Sequence, residues 1–506
     1  MKKVLSAREM SVSDKYTCDN ITPSKELMFK AGKAIFELGA WRSPVAIVCG
    51  GGNNAGDGYV VAYLMKKAGI DCSIVTLTDK KTPDGAYYFD MCQEISVDVR
   101  SLAETDISHY ASILDCIFGI GFRGEVGGIE KNAIELINSA HAEGAYVVCA
   151  DINSGLSSDS GLGNTVVMSD LTVSVGQYKS GHFLGRAKDV IGNLVCADVG
   201  IEPIGEYYRL VETEDLFDII CERANFSNKG TYGYVALLGG CENYSGAMKL
   251  ASCAYAAMRS GAGVAKLIVP REISNSVSHY LLENTLATLP SVNGRFVFDP
   301  DALEGELEGI RSLAVGMGMG RSEDNERIIR YLLLKEDMSL IIDADGLNTV
   351  ASSEDLMEIL KKRNAPTLLT PHPKEFERLS GISMNEILSD PIYHAKEFAK
   401  RYSLVLLLKG SSTVITDGND VYIINRGCAG MATAGSGDVL SGVLAGISGY
   451  TDGFLKVAVS GAYIAGLAGE YAQRETNSIS MTAGDTVRNI PKAISEILEK
   501  KQNKQK

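Results

Sequence analysis

Short apolar runs and segments with helical spacing alternate along the first half of this chain. Helical spacing covers residues 24–40 and 59–68, and the apolar runs cover 45–49, 73–77, 111–118 and 146–150. Apolar runs of this length predict buried strands, and spacing at i, i+3 and i+4 predicts amphipathic helices. Strands that alternate with helices indicate an α/β sandwich with a largely parallel sheet.

The same pattern resumes in the second half after a break. Between about 202 and 228 the periodicity stops, and a mixed charged segment leads to Lys229. Because 506 residues exceed one typical core, we expect two domains and place them at residues 1–215 and 222–500. A helix is predicted over 246–260, and strands are predicted over 234–238, 266–269, 312–315, 340–343, 367–369, 404–408 and 421–424.

Charge and cysteine usage narrow the functional classes. The chain has 49 basic and 63 acidic residues and no basic run, which argues against nucleic acid and membrane surfaces as partners. The cysteines lack CxxC spacing, and Cys116, Cys149 and Cys253 lie among apolar residues, which favours buried free thiols. With no apolar run of membrane-spanning length, we expect a cytoplasmic protein.

Three predicted strands of the first half end in loops that suit a ligand, at residues 50–58, 119–124 and 151–155. A strand, a glycine loop and a helix together offer backbone N–H groups to a pyrophosphate. The loop 119–124 matches GxGxxG, but its helix starts nearer Glu130, so it is a weak dinucleotide fingerprint. The three loops predict a ligand crevice along one edge of the sheet.

Four polar stretches follow predicted strands of the second half, at 343–348, 370–375, 409–413 and 435–438. Ligands of open α/β sheets bind outside the carboxyl ends of the strands, so these stretches are expected to share one crevice. In the last stretch, small residues form a turn at a helix start, which offers N–H groups to an anion. Asp438 beside such a site suggests phosphoryl transfer, with Asp438 as the base toward a hydroxyl. The alternative is a tight loop in which Asp438 is only a first-turn helix residue.

Other polar residues of the second half suggest roles in binding. Lys409, Ser411, Ser412 and Thr413 can hold nucleotide phosphates, although no Walker-type loop is present. His372 lies between two prolines, which hold it extended and favour contact with a ligand.

Three acidic residues leave alternatives open. Glu375 either orients a ribose or a metal-bound water, or pairs with a neighbouring cation. Asp343 and Asp345 either hold magnesium indirectly or form an Asx turn before Gly346, and we favour the turn.

These motifs resemble those of a known pair of enzymes. Residues 430–440, 370–375 and 409–410 resemble the nicotinamide-nucleotide repair dehydratases, and residues 53–58, 118–124 and 151–155 resemble the companion epimerases. Nearly the whole chain resembles the fused, bifunctional NAD(P)H-hydrate repair enzymes. The resemblance implies an N-terminal Rossmann-like α/β/α sandwich and a C-terminal ribokinase-like α/β domain.

The resemblance also implies a reaction. The substrates would be NADH or NADPH hydrated on the nicotinamide ring, whose R and S epimers the first domain would interconvert. The second domain would use ADP to phosphorylate the S hydroxyl and expel phosphate, which leaves AMP. Asp438 would be the base. Ser436, Gly437 and the stretch Lys409, Gly410, Ser411, Ser412 and Thr413 would bind the nucleotide, and Ala262, Gly318 and His372 would contact the hydrated cofactor.

In the first domain the resemblance assigns substrate binding to two loops and places Asp151 nearest the epimerised carbon. The loop residues are Asn53, Asn54, Ala55, Gly56 and Asp57, and Gly119, Ile120, Gly121, Phe122, Arg123, Gly124 and Glu125. Asn54, Asp115 and Ser154 would coordinate K⁺, with plain loop capping as the alternative for each. The expected cofactors are therefore ADP, K⁺ and Mg²⁺.

The chain departs from the family pattern at three positions. Ala55 replaces a glycine, which a position with negative φ would tolerate, and Asn153 replaces a proline, which is expected to loosen that turn. Cys428 stands where the family has asparagine, which could change nucleotide preference.

Two rival functions use the same features. One is a small-molecule kinase built on the second half, and the other is a dinucleotide-binding sensor without turnover. We also expect a homo-oligomer.

Overall fold

A computed structural model of the protein describes residues 1–252 and 256–505. The chain divides into two compact units, of which one runs from Lys3 to Tyr208 and the other holds the remaining described residues. Cys253 and part of the helix predicted over 246–260 lie outside the described residues. In the described part no helix is long and apolar enough to cross a membrane.

The N-terminal unit contains a seven-stranded sheet in which every printed strand pair is parallel. The strands of this unit are β1 Lys2–Leu5, β2 Val45–Cys49, β3 Cys72–Thr76, β4 Asp98–Ser101, β5 Ser112–Cys116, β6 Tyr146–Ala150, β7 Ser169–Val175, β8 Tyr178–Lys179 and β9 Ile191–Ala197. The sheet order is β4-β3-β2-β5-β6-β7-β9, and β1 pairs in parallel with β8. Helices cover both faces of the sheet, so β2 and β5 are buried along their whole length and read as continuous apolar runs.

The helices of the N-terminal unit are α1 Ala7–Asn20, α2 Ser24–Leu38, α3 Asn53–Lys67, α4 Pro83–Glu94, α5 Gly128–Ala142 and α6 Ala187–Val190. The apolar stripe of α2 folds back onto its own unit, because Leu27, Met28 and Ile35 are buried there. Gly32 allows this packing, since a Cβ at Gly32 would lie 2.5 Å from the Cβ of Val60 on α3. The start of α3 differs from the prediction: residues 53–58 form its first turns rather than a loop before it.

The C-terminal unit contains a second, mostly parallel sheet. Its strands are β10 Tyr208–Leu210, β11 Tyr234–Leu238, β12 Val264–Pro270, β13 Thr285–Leu289, β14 Ser291–Val292, β15 Arg295–Phe296, β16 Ser312–Val315, β17 Ser339–Ile342, β18 Thr367–Leu369, β19 Val405–Leu408, β20 Thr413–Thr416 and β21 Val421–Ile424. The order in this unit is β13-β12-β11-β16-β17-β18-β19-β20-β21-β10, with β14 and β15 in a separate hairpin. Only the pairs β19–β20 and β20–β21 are antiparallel among the described pairs of the larger sheet.

The helices of the C-terminal unit are α7 Ser245–Ser252, α8 Ser274–Ser278, α9 Pro300–Leu307, α10 Glu323–Leu334, α11 Ala344–Ala351, α12 Glu354–Lys362, α13 Pro373–Ser380, α14 Met384–Ser389, α15 Pro391–Tyr402, α16 Ser436–Ser448, α17 Phe454–Glu475 and α18 Ala483–Gln505. Helices α16 and α17 are buried over most of their length and form the centre of the apolar core with the sheet. Small residues permit this packing: a Cβ at Gly461 of α17 would lie 2.5 Å from Leu444 of α16. The middle of α16 therefore packs closely against α17.

Candidate active sites of the two units

A cavity of about 850 Å³ opens at the carboxyl edge of the N-terminal sheet. Residues that follow β2, β3, β5 and β6 line it, together with the last residue of β7 and residues of α1 and α2. The predicted ligand crevice thus lies where the strand-end rule for parallel sheets places it.

The first turn of α3 contributes a backbone anion site to this cavity. The N-cap residue Gly52 provides no side-chain cap for α3, so the first N–H groups of the helix remain for a ligand. Gly50 must be glycine, because a Cβ there would lie 2.2 Å from the carbonyl oxygen of Ile117. Asn53 and Asn54 line the cavity, whereas Ala55 and Gly56 are buried in α3 and are absent from its lining.

The loop after β5 forms another wall of the cavity. Gly119, Ile120, Gly121, Phe122 and Arg123 line it, but Gly124 and Glu125 do not. Phe122 stacks on Phe118 with a ring separation of 4.6 Å. The Arg123 guanidinium donates to the carbonyl oxygens of Ile120 and Phe122, at 3.0 and 2.8 Å, and so stiffens its own loop.

The three predicted K⁺ ligands lie together beneath this wall. The carboxylate of Asp115 accepts from Ser154, at 2.6 Å from its hydroxyl and 2.8 Å from its backbone N–H. The amide nitrogen of Asn54 donates to the carbonyl oxygens of Phe118 and Ala150, at 2.8 and 3.2 Å.

One oxygen of this group, the buried Oδ1 of Asn54, lacks a hydrogen-bond partner among the described residues. A buried carboxylate, a hydroxyl and an orphaned amide oxygen form a hard-oxygen donor set, so the residues present fit a monovalent cation such as K⁺. Clusters of three or more His, Cys, Asp or Glu side chains that could hold a metal are absent from the described chain.

Asp151 lies at the end of β6 in a left-handed backbone conformation, with φ +63°. One carboxylate oxygen, Oδ1, accepts from the backbone N–H of Val175 at 2.9 Å and pairs with the ammonium of Lys179. The Lys179 side chain is completely buried and donates also to the carbonyl oxygen of Val175, at 2.9 Å. Since Asp151 itself lines the cavity, its carboxylate is fixed on one side and open to a ligand on the other.

His182 holds the two members of this ion pair in place. Its Nδ1 accepts from the backbone N–H of Lys179 at 3.1 Å, so the ring proton is on Nε2, which donates to the carbonyl oxygen of Asp151 at 2.9 Å. Burial, with the nearby Lys179, lowers the pKa of His182 to about 4, so the ring is neutral. Lys179 and His182 escaped the sequence reasoning, although the polar run Lys179-Ser180-Gly181-His182 after an apolar strand was a usable signal.

Two further carboxyl groups face the same cavity, those of Asp14 and Asp57. Burial, together with the charge of Asp151, raises the pKa of Asp57 well above its ordinary value and raises that of Asp14 as well. The prediction for Asp57 was a contact with substrate phosphate, but its electrostatic neighbours are Asp151, Asp14 and Lys179. A raised pKa favours the protonated carboxyl group, which can donate a hydrogen bond to a ligand oxygen.

Asn153, which stands where the family has proline, ties the loop after β6 to its surroundings through buried hydrogen bonds. The fully buried Asn153 amide donates to the carbonyl oxygens of Val167 and Val190 and to the hydroxyl of Ser169, at 2.8 to 3.1 Å. Its Oδ1 accepts from the hydroxyl of Thr172 at 2.6 Å. The side chain thus joins the loop after β6 to three neighbouring segments.

In the C-terminal unit the strand-end residues converge as predicted from the sheet rule. The ammonium of Lys409, after β19, lies 3.0 Å from Oδ1 of Asp343, after β17. Asp343 also accepts from the hydroxyls of Thr370 at 2.8 Å and Ser441 at 2.7 Å. The favoured Asx turn is wrong, because Asp343 precedes α11 without a side-chain cap and directs its carboxylate to these partners instead.

The charges of this pair are fixed by its surroundings. Burial opposes ionisation of Asp343, but Lys409 and the hydroxyl donors outweigh it and lower the pKa of Asp343. Burial likewise opposes the charge of Lys409, yet Asp343 and Glu375 raise its pKa. Glu375 lies 3.7 Å from the Lys409 ammonium, so Lys409 is shared between two carboxylates.

The start of α16 lies beside this ion pair. Gly435 has φ +93° and gives the helix no side-chain cap, and the buried Ser436 hydroxyl has no partner among the described residues. A Cβ at Gly437 would lie 3.7 Å from both the Lys409 ammonium and Oδ2 of Asp343, so the first turn of α16 lies directly beside the ion pair. Burial, with the nearby charge of Asp343, raises the pKa of Asp438 to about 7.

His372 is the N-cap of α13 and is locked by Glu375. The ring Nδ1 accepts from the backbone N–H groups of Lys374 and Glu375, at 3.1 and 3.3 Å. The backbone N–H of His372 donates to Oε2 of Glu375 at 2.8 Å. The ring is half exposed, with Nε2 3.4 Å from Oε1 of Glu375. His372 is thus oriented toward solvent at the same sheet edge as Lys409, whose backbone N–H donates to Pro371 at 2.9 Å.

The rest of the predicted nucleotide stretch is divided between loop and strand. Gly410 and Ser411 are exposed, whereas Ser412 is buried and its hydroxyl donates to Oδ1 of Asn425 at 3.0 Å. Thr413 is the first residue of β20. Gly318, in the loop after β16, has φ +58° and lies against Tyr244, so it shares the carboxyl edge.

Ala262 does not join this cluster. The residues around it contact Tyr450, just after the end of α16: the Tyr450 hydroxyl donates to the carbonyl oxygen of Ser260 at 3.0 Å, and its ring covers Gly261. Asp438 lies at the other end of α16, and 13 helical residues span about 20 Å. The predicted contact of Ala262 with the hydrated cofactor therefore lacks structural support.

Two α/β units, each with a helix N-terminus beside a carboxylate at a sheet edge, define a class of enzyme that handles phosphate-bearing ligands. Comparison with known proteins identifies the family. The family model for NAD(P)H-hydrate dehydratase matches residues 235–492, and the model for the YjeF-related protein N-terminus matches residues 24–181.

Relatives match nearly the full length. A bifunctional NAD(P)H-hydrate repair enzyme of Moorella thermoacetica is 32% identical over 98% of this chain and 97% of its own. The enzyme of the same name from Escherichia coli is 30% identical over 94% of this chain and 90% of its own. This chain belongs to the family of bifunctional NAD(P)H-hydrate repair enzymes.

Among solved structures, the ADP/ATP-dependent NAD(P)H-hydrate dehydratase of Bacillus subtilis, co-crystallised with ATP and Mg²⁺, is similar to the C-terminal part. It is 26% identical, with a TM-score of 0.49, over 57% of this chain and 99% of that one.

Proposed function

We propose that the protein repairs hydrated NADH and NADPH in two steps, one in each unit. Residues 1–215 would interconvert the R and S epimers, and residues 222–500 would convert the S epimer back to the dihydronicotinamide at the expense of ADP. The membership of the chain in the repair family supports this proposal. The position of Asp438, at the start of α16 and beside the Lys409–Asp343 pair, supports it most directly.

In the second step Asp438 takes the proton from the hydroxyl on the hydrated ring carbon. The hydroxyl oxygen attacks the β-phosphorus of ADP, the bond to the α-phosphate oxygen breaks, and AMP leaves. The ring carbon–oxygen bond then breaks, phosphate departs with the electron pair, and loss of a ring proton restores the double bond. A base with a pKa near 7 suits this role, because it is partly ionised at neutral pH and still accepts a proton readily.

The other residues of the cluster bind and orient the phosphates. The N–H groups of Ser436 and Gly437 face the transferring phosphoryl group, and Lys409 neutralises charge that develops on it. Mg²⁺ bound with ADP would neutralise part of the charge of the phosphates. Gly410 to Thr413 and Gly318 complete the walls for the nucleotide and the hydrated cofactor.

In the first step Asp151 is the residue nearest the hydrated carbon, at which the epimers differ. Its carboxylate has one oxygen fixed by Lys179 and Val175, and it faces the cavity at the end of β6. The first turn of α3 and the loop 119–123 hold the pyrophosphate. Asn54, Asp115 and Ser154 would hold K⁺, which supplies a fixed positive charge beneath the ligand.

The direct test supplies hydrated NADH or NADPH with ADP and follows the return of absorbance of the dihydronicotinamide. Full recovery from a mixture of R and S epimers requires both activities, whereas recovery of about half would mean that only the dehydratase works. No recovery with either ADP or ATP would overturn the proposal. Phosphorylation of a small alcohol without recovery of dihydronicotinamide would favour a kinase instead.

Nucleotide preference, location and assembly remain predictions from the sequence. We propose ADP as the phosphoryl donor, a cytoplasmic location and a homo-oligomer. Parallel assays with ADP and ATP, and a molecular mass measured in solution, test the first and the last of these.

A further inference from the structure

The N-terminal sheet has the strand arrangement of a dinucleotide-binding fold. Its strands lie in the order β4-β3-β2-β5-β6-β7. The first glycine turn and α3 connect β2 to β3, and β3 lies directly beside β2. In folds of this kind the residues at the end of that neighbouring strand read the 2′ position of the adenosine ribose: an acidic side chain accepts from a 2′-hydroxyl, and a basic one binds a 2′-phosphate. The corresponding strand here is β3.

The loop after β3 brings a hydroxyl and an ammonium group to the cavity. Thr78 and Lys80 line it, whereas Asp79 between them does not. Gly51 fixes the loop against the glycine turn, because a Cβ there would lie 3.2 Å from Thr78 and 3.4 Å from Lys80. The Thr78 oxygen accepts from the backbone N–H of Lys80 at 3.2 Å, which leaves its O–H free to donate.

The neighbouring lysine is directed elsewhere. The ammonium of Lys81 donates to the carbonyl oxygen of Asp79 at 3.3 Å and lies 4.1 Å from the ring centre of Phe89. By contrast, the ammonium of Lys80 makes no ion pair or hydrogen bond with any described residue, and the bond of Lys80 to Thr78 comes from its backbone N–H. The two adjacent lysines therefore form a natural pair of test and control.

The direction of the bound substrate follows from the positions of the other groups. Asp151 follows β6, and the anion site of α3 follows β2, so the nicotinamide and the pyrophosphate occupy those two places in turn. Beyond β2 along the same edge comes β3. Adjacent strands are about 4.8 Å apart, so β3 and β6 are about 14 Å apart, and an extended dinucleotide carries its adenosine half to the end of β3.

We propose that Lys80, assisted by the hydroxyl of Thr78, binds the 2′-phosphate of the adenosine ribose, so that the N-terminal site prefers hydrated NADPH to hydrated NADH. The inference rests on the proposed epimerase function and names the substrate that this site favours. An ammonium group with no protein partner is the side chain that a phosphate can recruit without breaking an existing ion pair. Arg123, the other cation of the cavity wall, is occupied by the carbonyl oxygens of its own loop.

One acidic residue opposes this preference. Asp84, in the first turn of α4, also lines the cavity. If Asp84 rather than Lys80 contacted the ribose, the site would accept a 2′-hydroxyl and disfavour a 2′-phosphate. The two readings predict opposite preferences, so the wild-type protein already separates them.

The experiment measures epimerisation by the full chain without ADP, so that the dehydratase is idle. R-epimers of hydrated NADPH and NADH are supplied separately, and the S-epimers are quantified by chromatography. The wild type is expected to show the higher kcat/KM with hydrated NADPH. In Lys80→Ala this value should fall about tenfold or more, through KM, while the value for hydrated NADH changes less than about twofold. Lys81→Ala should leave both values unchanged.

Adenosine 2′,5′-bisphosphate provides a second readout. It should inhibit epimerisation by the wild type, and Lys80→Ala should weaken this inhibition about tenfold. An equal fall for both substrates would assign Lys80 to the pyrophosphate, and no change would remove it from the site; either result overturns the proposal. If the wild type epimerises neither substrate, the proposed function fails, and calorimetric binding of NADP⁺ against NAD⁺ to the wild type and Lys80→Ala still decides the contact.

Discussion

The ammonium of Lys409 and the carboxylate of Asp343 form a largely buried ion pair, 3.0 Å long, that joins the ends of β19 and β17 beside the start of α16. Two hydroxyls, of Thr370 and Ser441, complete the hydrogen bonds of the carboxylate. The pair therefore provides one fixed cation and one fixed anion near Asp438. Burial is the main cause of the raised pKa of Asp438, and within that effect Asp343 raises the pKa further whereas Lys409 lowers it.

Asp438→Asn should abolish most of the dehydratase activity and spare the epimerase. The amide keeps the shape of the side chain but cannot accept a proton, so we expect kcat to fall about 10²- to 10⁴-fold. The measurement is the return of dihydronicotinamide absorbance with ADP. Undiminished epimerisation by the same variant is the control for folding. A sensor without turnover would show the same ligand response before and after the substitution, and that result would refute the role of Asp438.

The pH dependence of dehydration should report Asp438. Asp438 acts as a base only when ionised, so kcat should fall as the pH drops through about 7 and reach a plateau above it. Asp343→Asn removes a negative neighbour and should move this acid limb to lower pH. Lys409→Gln removes a positive neighbour and should move it to higher pH. The measurement is the profile of kcat against pH. If both variants shifted the acid limb in the same direction, the limb would not report the ionisation of Asp438.

Much of the C-terminal site could be predicted from the sequence, because the position of a residue just after a predicted strand or at a helix start is a local feature. Lys409, His372 and Asp438 each follow an apolar run or open a helix, and the edge of a parallel sheet collects such residues. The role of Asp343 could not be predicted in the same way, because its partners lie 27 to 98 positions away in the chain. The position of Ala262 could not be predicted either, because its motif does not indicate at which end of the sheet its loop lies.

Removal of K⁺ should lower the thermal stability of the N-terminal unit alone. An ion that binds only the folded unit stabilises it, so the midpoint of thermal unfolding of that unit should rise with KCl and not with tetramethylammonium chloride. Asn54→Ala removes the orphaned oxygen and should abolish the rise. Asn164→Ala is the matched control, since its amide donates to Val126 outside the oxygen group. Equal responses of the two variants would mean that K⁺ binds elsewhere.

Restoring the family's proline at position 153 should destabilise this protein. Asn153→Pro leaves the hydroxyl of Thr172 and the carbonyl oxygens of Val167 and Val190 without their buried partner, so the free energy of unfolding should fall by about 2 kcal/mol or more. Urea unfolding of the wild type and the variant measures this difference. Asn20→Ala, which loses one exposed hydrogen bond, should cost little. A gain in stability with proline would show that the turn, not the hydrogen bonds, dominates.

That asparagine network also illustrates what a motif cannot reveal. A departure from a family pattern looks like a loss when each position is read alone, because the compensating partners lie on other segments. Ser169 and Thr172 supply those partners here, and neither belongs to the motif. Buried hydrogen bonds between distant segments appear only when the fold is known.

The left-handed backbone at Asp151 limits which amino acids can replace it during evolution. At φ +63° only glycine, asparagine and aspartate are tolerated without appreciable strain, so most single-codon replacements would damage the loop as well as remove the carboxylate. A descendant that had given up epimerisation while keeping its fold would be expected to carry asparagine or glycine at this position. Given the role proposed for Asp151, asparagine or glycine at this position in a relative would indicate that the epimerase activity has been lost.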